Sequence, residues 1–197
     1  MLKVGITGGM GSGKSIVCKI FKLLGVPVFE ADNVAKKLLD TDPQIKDELI
    51  NLFGESIYID KKGVDRKKLA SIIFNDNIAL QNVNEVIHPH VGESFYGWVT
   101  KQDVPYVIHE AAILFESGFY KLMDINIHIS AEKELRLKRV MERDNISKEM
   151  VLARMDKQWT DKKKAKLADA VILNNNELLI PKVLEFDKQI KQHGKIW

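Results

Sequence analysis

The chain has 197 residues, 45% of them hydrophobic and 29% charged, enough for one substantial core. Thirty Lys and Arg against 27 Asp and Glu leave a formal net charge of +3, too small to mark a nucleic-acid binder, and the single cysteine, Cys18, excludes an internal disulfide or a multi-cysteine zinc site. No run of about 18 apolar residues and no signal-like start are present, so a cytoplasmic protein with no membrane partner is expected.

In chain order, residues 2–6 predict a short buried strand. Residues 14–24 carry Ile16, Val17, Ile20, Phe21 and Leu24 at helical spacing, closed by Gly25, and Cys18 falls in this stretch as a small buried hydrophobe. Further strands are expected at 26–29, 104–109, 124–129 and 170–173. Apolar rather than alternating strands, separated by helices, predict a parallel sheet covered on both faces. About 70 residues separate the second strand from the third, far more than a crossover needs. Helical patterns at 45–53, 66–74 and 78–86 predict an inserted helical subdomain, the natural place for substrate choice.

Between the first strand and the first helix stands Gly8-Gly9-Met10-Gly11-Ser12-Gly13-Lys14-Ser15, which fits G-x-x-x-x-G-K-[ST] in the context that motif requires. Glycines let successive N–H groups turn inward onto phosphates, and the helix N-terminus adds positive potential. Lys14 can reach the β- and γ-phosphates, and the Ser15 hydroxyl can ligate Mg²⁺. A nucleoside triphosphate is the implied ligand. Past the second strand comes Glu30-Ala31-Asp32, and strand ends of an open α/β sheet converge on one crevice. Asp32 suits the residue that orients and deprotonates an attacking hydroxyl, and it suits equally the N-cap of a helix over 34–39.

Arg136, Arg139 and Arg143 share one helix face while Leu137, Val140 and Met141 take the other, so the helix can pack on its apolar side and present guanidinium groups to phosphate, as a lid. A solvated charged face is the alternative. The dense run Lys162-Lys163-Lys164 with Lys166 reads as a solvated helix face. His88-Pro89-His90 lacks a third metal ligand at recognisable spacing, which favours a local structural role or a substrate contact by His88. Phe95, Tyr96 and Trp98 either line an acceptor pocket or belong to the core.

Taken together, residues 5–15, Glu30-Ala31-Asp32, Asp65-Arg66-Lys67-Lys68-Leu69, Ile87-His88-Pro89, Leu114-Phe115-Glu116-Ser117-Gly118, Arg143-Asp144 with Arg154 and Gln158, and Ala168-Asp169-Ala170-Val171-Ile172 followed by Asn174 resemble the dephospho-coenzyme A kinase family along nearly the whole chain. The resemblance implies an α/β fold of P-loop NTPase type: a parallel five-stranded sheet flanked by helices (core 1–32, 104–130 and 165–197), a helical substrate-binding insertion (33–103) and a helical lid (131–164). It implies ATP-dependent phosphorylation of the ribose 3′-hydroxyl of dephospho-coenzyme A, with Mg²⁺ beside ATP. Asp32 corresponds to the expected base, with Lys14 as its catalytic partner; Gly11, Ser12, Gly13, Lys14, Ser15 and Ile16 form the nucleotide-binding turn, joined by Arg139 and Arg143. Asp32, Arg66 and His88 fall to the substrate. The chain departs from the family pattern at Glu30, Glu110 and Ala112, where Asp, Asp and Pro are usual. Two rivals remain: a kinase for a nucleotide or another small alcohol, and a nucleotide switch, although neither N-K-x-D nor a D-x-x-G after the third strand is present.

Overall fold

The computed structural model describes residues 1–59 and 63–194; residues 60–62 and 195–197, including Trp197, lie outside the described residues. The chain divides into two compact units, one of residues 1–30 and 102 onward, the other of residues 31–101.

In chain order the elements are β1 (Leu2–Gly8), α1 (Lys14–Leu23), β2 (Val28–Glu30), α2 (Ala31–Thr41), α3 (Pro43–Phe53), β3 (Tyr58–Ile59), β4 (Gly63–Val64), α4 (Arg66–Asn75) and α5 (Asn77–Val99). There follow β5 (Tyr106–Glu110), β6 (Ile125–Ser130), α6 (Lys133–Asp144), α7 (Lys148–Met155), α8 (Asp161–Ala165), β7 (Ala170–Leu173) and α9 (Leu179–His193).

In the first unit, five strands among the described residues form one sheet in the order β2-β5-β1-β6-β7, every pairing parallel. β1 sits at its centre, paired with β5 on one side and β6 on the other, and is buried continuously from Val4 to Gly8, with Val4 and Ile6 wholly buried on one face. Val17, Cys18 and Phe21 of α1 and Val183 and Ile190 of α9 complete a core with Ile108, Ile127, Ile129 and Ile172 of the sheet. Burial pushes the Cys18 thiol up to about 12, in keeping with its expected role as a small buried hydrophobe.

The parallel sense brings the carboxyl ends of the strands to one edge, and the strands run closer to that edge than apolarity alone predicts. β1 extends to Gly8, where Thr7 and Gly8 still pair with His128 and Ile129, and β5 extends to Glu110, opposite Ile6. The ladder continues past the last apolar residue because backbone groups, not side chains, carry it. β2 starts later than expected, since Pro27 has no N–H to give, although its carbonyl accepts from the Ile108 N–H at 2.9 Å.

Helices α2 to α5 and the antiparallel pair β3 and β4 make up the second unit. The pair, two residues to a strand, is too short for a periodicity signal and was not anticipated. Asp42 and Asp65 cap α3 and α4, each accepting two backbone N–H bonds, which fixes their starts. The last helix, α5, runs far beyond residue 86 and through Pro89. The missing N–H is outweighed by continued burial of Val91 and Phe95. Phe95 is fully buried and stacks on Trp98, so it belongs to the core. The capping reading of Asp32 is corrected: α2 already begins at Ala31, placing Asp32 inside its first turn.

Two further expectations for the first unit change. Lys164 is not on a solvated face but completely buried, its ammonium 2.9 Å from both Glu116 Oε1 and the Ala112 carbonyl. Arg136 likewise is buried at 8% exposure rather than presented outward. Helices α6 and α7 form a small core of their own from Leu137, Val140, Val151 and Met155, with Met10 packed against it.

Candidate active site

The glycine turn between β1 and α1 has a defined shape. Ser12 N–H donates to the Gly9 carbonyl at 3.0 Å, and the Ile16 and Val17 N–H groups return to the Gly13 carbonyl at 2.9 and 3.2 Å, starting the helix. Gly13 stands at φ 90°, and a Cβ there would strike the Asn174 amide. That amide instead donates to the Ser12 carbonyl at 2.8 Å, so the final Asn of the A-D-x-V-I-x-N segment clamps the turn from the end of β7.

Lys14 opens α1, and its ammonium is ion-paired to the carboxylate of Glu110 at the end of β5; both side chains are only 11% exposed. Glu110 thus keeps charge at the edge of the sheet despite its extra methylene. Glu30, another of the three departures, pairs with Lys22 nearer the surface, the two side chains 37% and 44% exposed.

Arg139 donates from Nη2 to the Asn174 carbonyl at 3.1 Å and from Nη1 to the Gly11 carbonyl at 3.4 Å, which places it against the turn. One helical turn on, Arg143 forks onto Asp144 at 2.7 and 3.0 Å; that hydrogen bond raises the guanidinium pKa and holds the Asp144 carboxyl low.

The remaining assigned residues belong to the second unit. Asp32 lies in the first turn of α2. Arg66, the first residue of α4, donates from Nη2 to Asp40 Oδ2 at 2.5 Å and to the Lys36 carbonyl at 3.0 Å. His88 lies in α5, where burial lowers its pKa, while His90 directs Nδ1 at Asp42 Oδ2, 3.1 Å away. Among the described residues there is no group of three or more His, Cys, Asp or Glu side chains able to hold a metal ion.

Several polar groups near the turn escaped sequence reasoning. His109, one residue before Glu110, is stacked between Phe29 and Phe119 at centroid distances of 5.6 and 5.2 Å. Burial first, and the Lys14 charge second, push its imidazole down to about 4. Asp161 receives Arg136 Nη1 at 2.7 Å and the Ser130 hydroxyl at 3.2 Å. The available signal was a polar residue within an apolar strand, as at His109 and His128, but nothing local reveals its partner.

A strand, a glycine turn and a helix at the carboxyl edge of a parallel sheet, with a lysine and a serine at the helix start, define a P-loop nucleotide-binding protein. The family model described as dephospho-CoA kinase matches residues 2–179. A dephospho-CoA kinase of Bacteroides fragilis is 41% identical over 186 residues, covering 93% of this chain and 90% of that protein. Among solved structures, TT1252 from Thermus thermophilus superposes with a TM-score of 0.84 at 30% identity, and the dephospho-CoA kinase from Campylobacter jejuni with 0.70 at 29%, each alignment covering 98% of both chains. The chain belongs to the dephospho-CoA kinase family.

Proposed function

We infer that the P-loop and the residues gathered around it carry the ATP-dependent phosphorylation of dephospho-coenzyme A that this family membership assigns to the chain, a transferase step of coenzyme A biosynthesis. The observation that carries the reading is Lys14, held by Glu110 beside a P-loop whose turn is clamped by Asn174.

In this reading the N–H groups from Gly11 to Ile16 cradle the ATP phosphates, and Lys14 exchanges the Glu110 carboxylate for phosphate oxygens. Arg139 and Arg143 add planar guanidinium donors to the phosphates. Asp32 takes the proton of the ribose 3′-hydroxyl as that oxygen attacks the γ-phosphorus and ADP leaves; Arg66 and His88 contact the acceptor. The insertion, residues 33–103, selects the acceptor, and the lid, residues 131–164, excludes water.

Oxygen donors at the turn, the Ser15 hydroxyl and the Glu110 carboxylate, suit a hard cation that keeps phosphate and water ligands, so Mg²⁺ fits without a dedicated cage of side chains. When bound, Mg²⁺ neutralises phosphate charge as the transfer proceeds. Among the described residues no helix is long and apolar enough to cross a membrane, and we place the reaction in the cytoplasm.

Incubation with Mg·ATP and dephospho-coenzyme A, followed by mass spectrometry, tests the reading: coenzyme A should form. Phosphorylation of a nucleoside monophosphate with dephospho-coenzyme A left untouched would overturn it in favour of a nucleotide kinase.

A further inference from the structure

We propose that Arg136 and Gln158 are positioning residues for ATP, acting through the backbone of Met10. The inference rests on the P-loop being the nucleotide site and concerns how that loop acquires its shape.

Met10 is the one P-loop residue whose side chain is apolar, and it is held from three directions. Its N–H donates to Gln158 Oε1 at 2.9 Å, and its carbonyl accepts from Arg136 Nε at 2.9 Å. Its side chain packs into the cluster of Leu137, Val140, Val151 and Met155 between α6 and α7. The glycines on either side are fitted to the same helix. A Cβ at Gly9 would come within 2.7 Å of Arg136 Cζ, and one at Gly11 within 2.5 Å of the Arg136 carbonyl oxygen. Arg136 is fixed in turn by Asp161, whose Oδ2 receives Nη1 at 2.7 Å and the Ser130 hydroxyl at 3.2 Å, while its Oδ1 lies 3.5 Å from Nε2 of the fully buried His128.

The helical region expected to act only as a cover is therefore part of the mould for the phosphate cradle. Phosphate binding depends on the directions of successive N–H groups, and the peptides on both sides of Met10 set those directions. With either tie removed, ATP must order a loop that is now preorganised, so the loss falls on ATP affinity rather than on acceptor binding. Neither Arg136 nor Gln158 needs to touch the nucleotide.

The test compares Gln158→Leu, which removes the acceptor for the Met10 N–H, with Gln158→Glu, which keeps one, and with Asp161→Asn, which loosens Arg136 without altering it. Calorimetric titration with ATP and Mg²⁺, steady-state kinetics for both substrates and thermal melts are run on each. Loss of one hydrogen bond to a part-buried N–H predicts an ATP Kd and KM raised about tenfold in Gln158→Leu and about fivefold in Asp161→Asn. The KM for dephospho-coenzyme A should stay within about twofold. Gln158→Glu, which keeps the acceptor but adds a negative charge beside the phosphate site, should keep the wild-type Tm and lose ATP affinity only in a way that shrinks as salt is raised. Unchanged ATP binding in Gln158→Leu and Asp161→Asn would overturn the inference. So would a uniform decline of kcat and both KM values that follows Tm, the mark of a merely structural role. A wild-type protein that failed to bind ATP would instead overturn the nucleotide site itself, and this inference with it.

Discussion

The ammonium of Lys14, first residue of α1, is paired with the carboxylate of Glu110, last residue of β5, across 96 positions of sequence. Both side chains are largely shielded, so the lysine waits at the sheet edge with its charge balanced by the protein. Lys14→Ala removes the cation and leaves the Glu110 carboxylate unpaired in the cradle. The variant should fold, because α1 is held by Val17 and Phe21, but ATP affinity and turnover should both fall by about 100-fold or more through lost charge neutralisation. Calorimetry with ATP and a turnover assay check this; wild-type values in both would refute the P-loop assignment.

Asp32→Asn distinguishes chemistry from structure. Asn is nearly isosteric and tolerable in the first turn of α2, so Tm should change little, but an amide cannot accept the hydroxyl proton. We expect a loss in kcat of about 10²–10³-fold with both KM values nearly unchanged. A loss of less than about fivefold would return Asp32 to a structural role and leave the base unassigned.

Hydrogen exchange should separate the work of the two ligands. Dephospho-coenzyme A is expected to protect amides in residues 33–103, and ATP those in residues 131–164 together with the turn at 8–15. Protection of only the second region by dephospho-coenzyme A would refute this division of labour.

Lys164 supplies a stability test. It is wholly buried and serves both Glu116 and the Ala112 carbonyl, and Glu116 also accepts from the Trp159 N–H at 2.9 Å. Lys164→Met strands the carboxylate and should cost about 3–5 kcal/mol, a fall in Tm of roughly 10 °C. The double variant Lys164→Met/Glu116→Leu should recover much of that loss in a thermal melt.

His109 predicts a pH dependence. Its folded pKa, about 4, lies below the ordinary 6.5, so the unfolded chain binds a proton more readily than the folded one. Its contribution is therefore complete above about pH 6.5 and is lost progressively as pH falls towards 4. The difference corresponds to on the order of 3 kcal/mol. His109→Phe, which keeps an aromatic ring between Phe29 and Phe119, should flatten the stability profile between those pH values in denaturant titrations. An unchanged profile would locate the acid sensitivity elsewhere.

The P-loop, the parallel strands and the long insertion were legible in the chain because each depends on neighbours in sequence. Glycines beside Lys14 and Ser15, apolar runs without alternation, and the helical spacing at 66–74 act through local backbone geometry and periodicity. Strand ends were placed less well, because at Gly8 and Glu110 the ladder is held by the adjacent strand rather than by apolar side chains. The short β3–β4 pair and the continuation of α5 through Pro89 were hidden for a related reason: their support comes from partners distant in sequence. At the site, residue types were readable and partnerships were not. Lys164 in a basic run looked solvated and Arg136 read as either a phosphate-facing or a solvated side chain, yet one is buried against Glu116 and the other is tied to Asp161 and Met10. A charge has no preferred neighbour until folding removes its water, and which counter-charge then lies within hydrogen-bonding reach is set by the packing of strands and helices far apart in the chain.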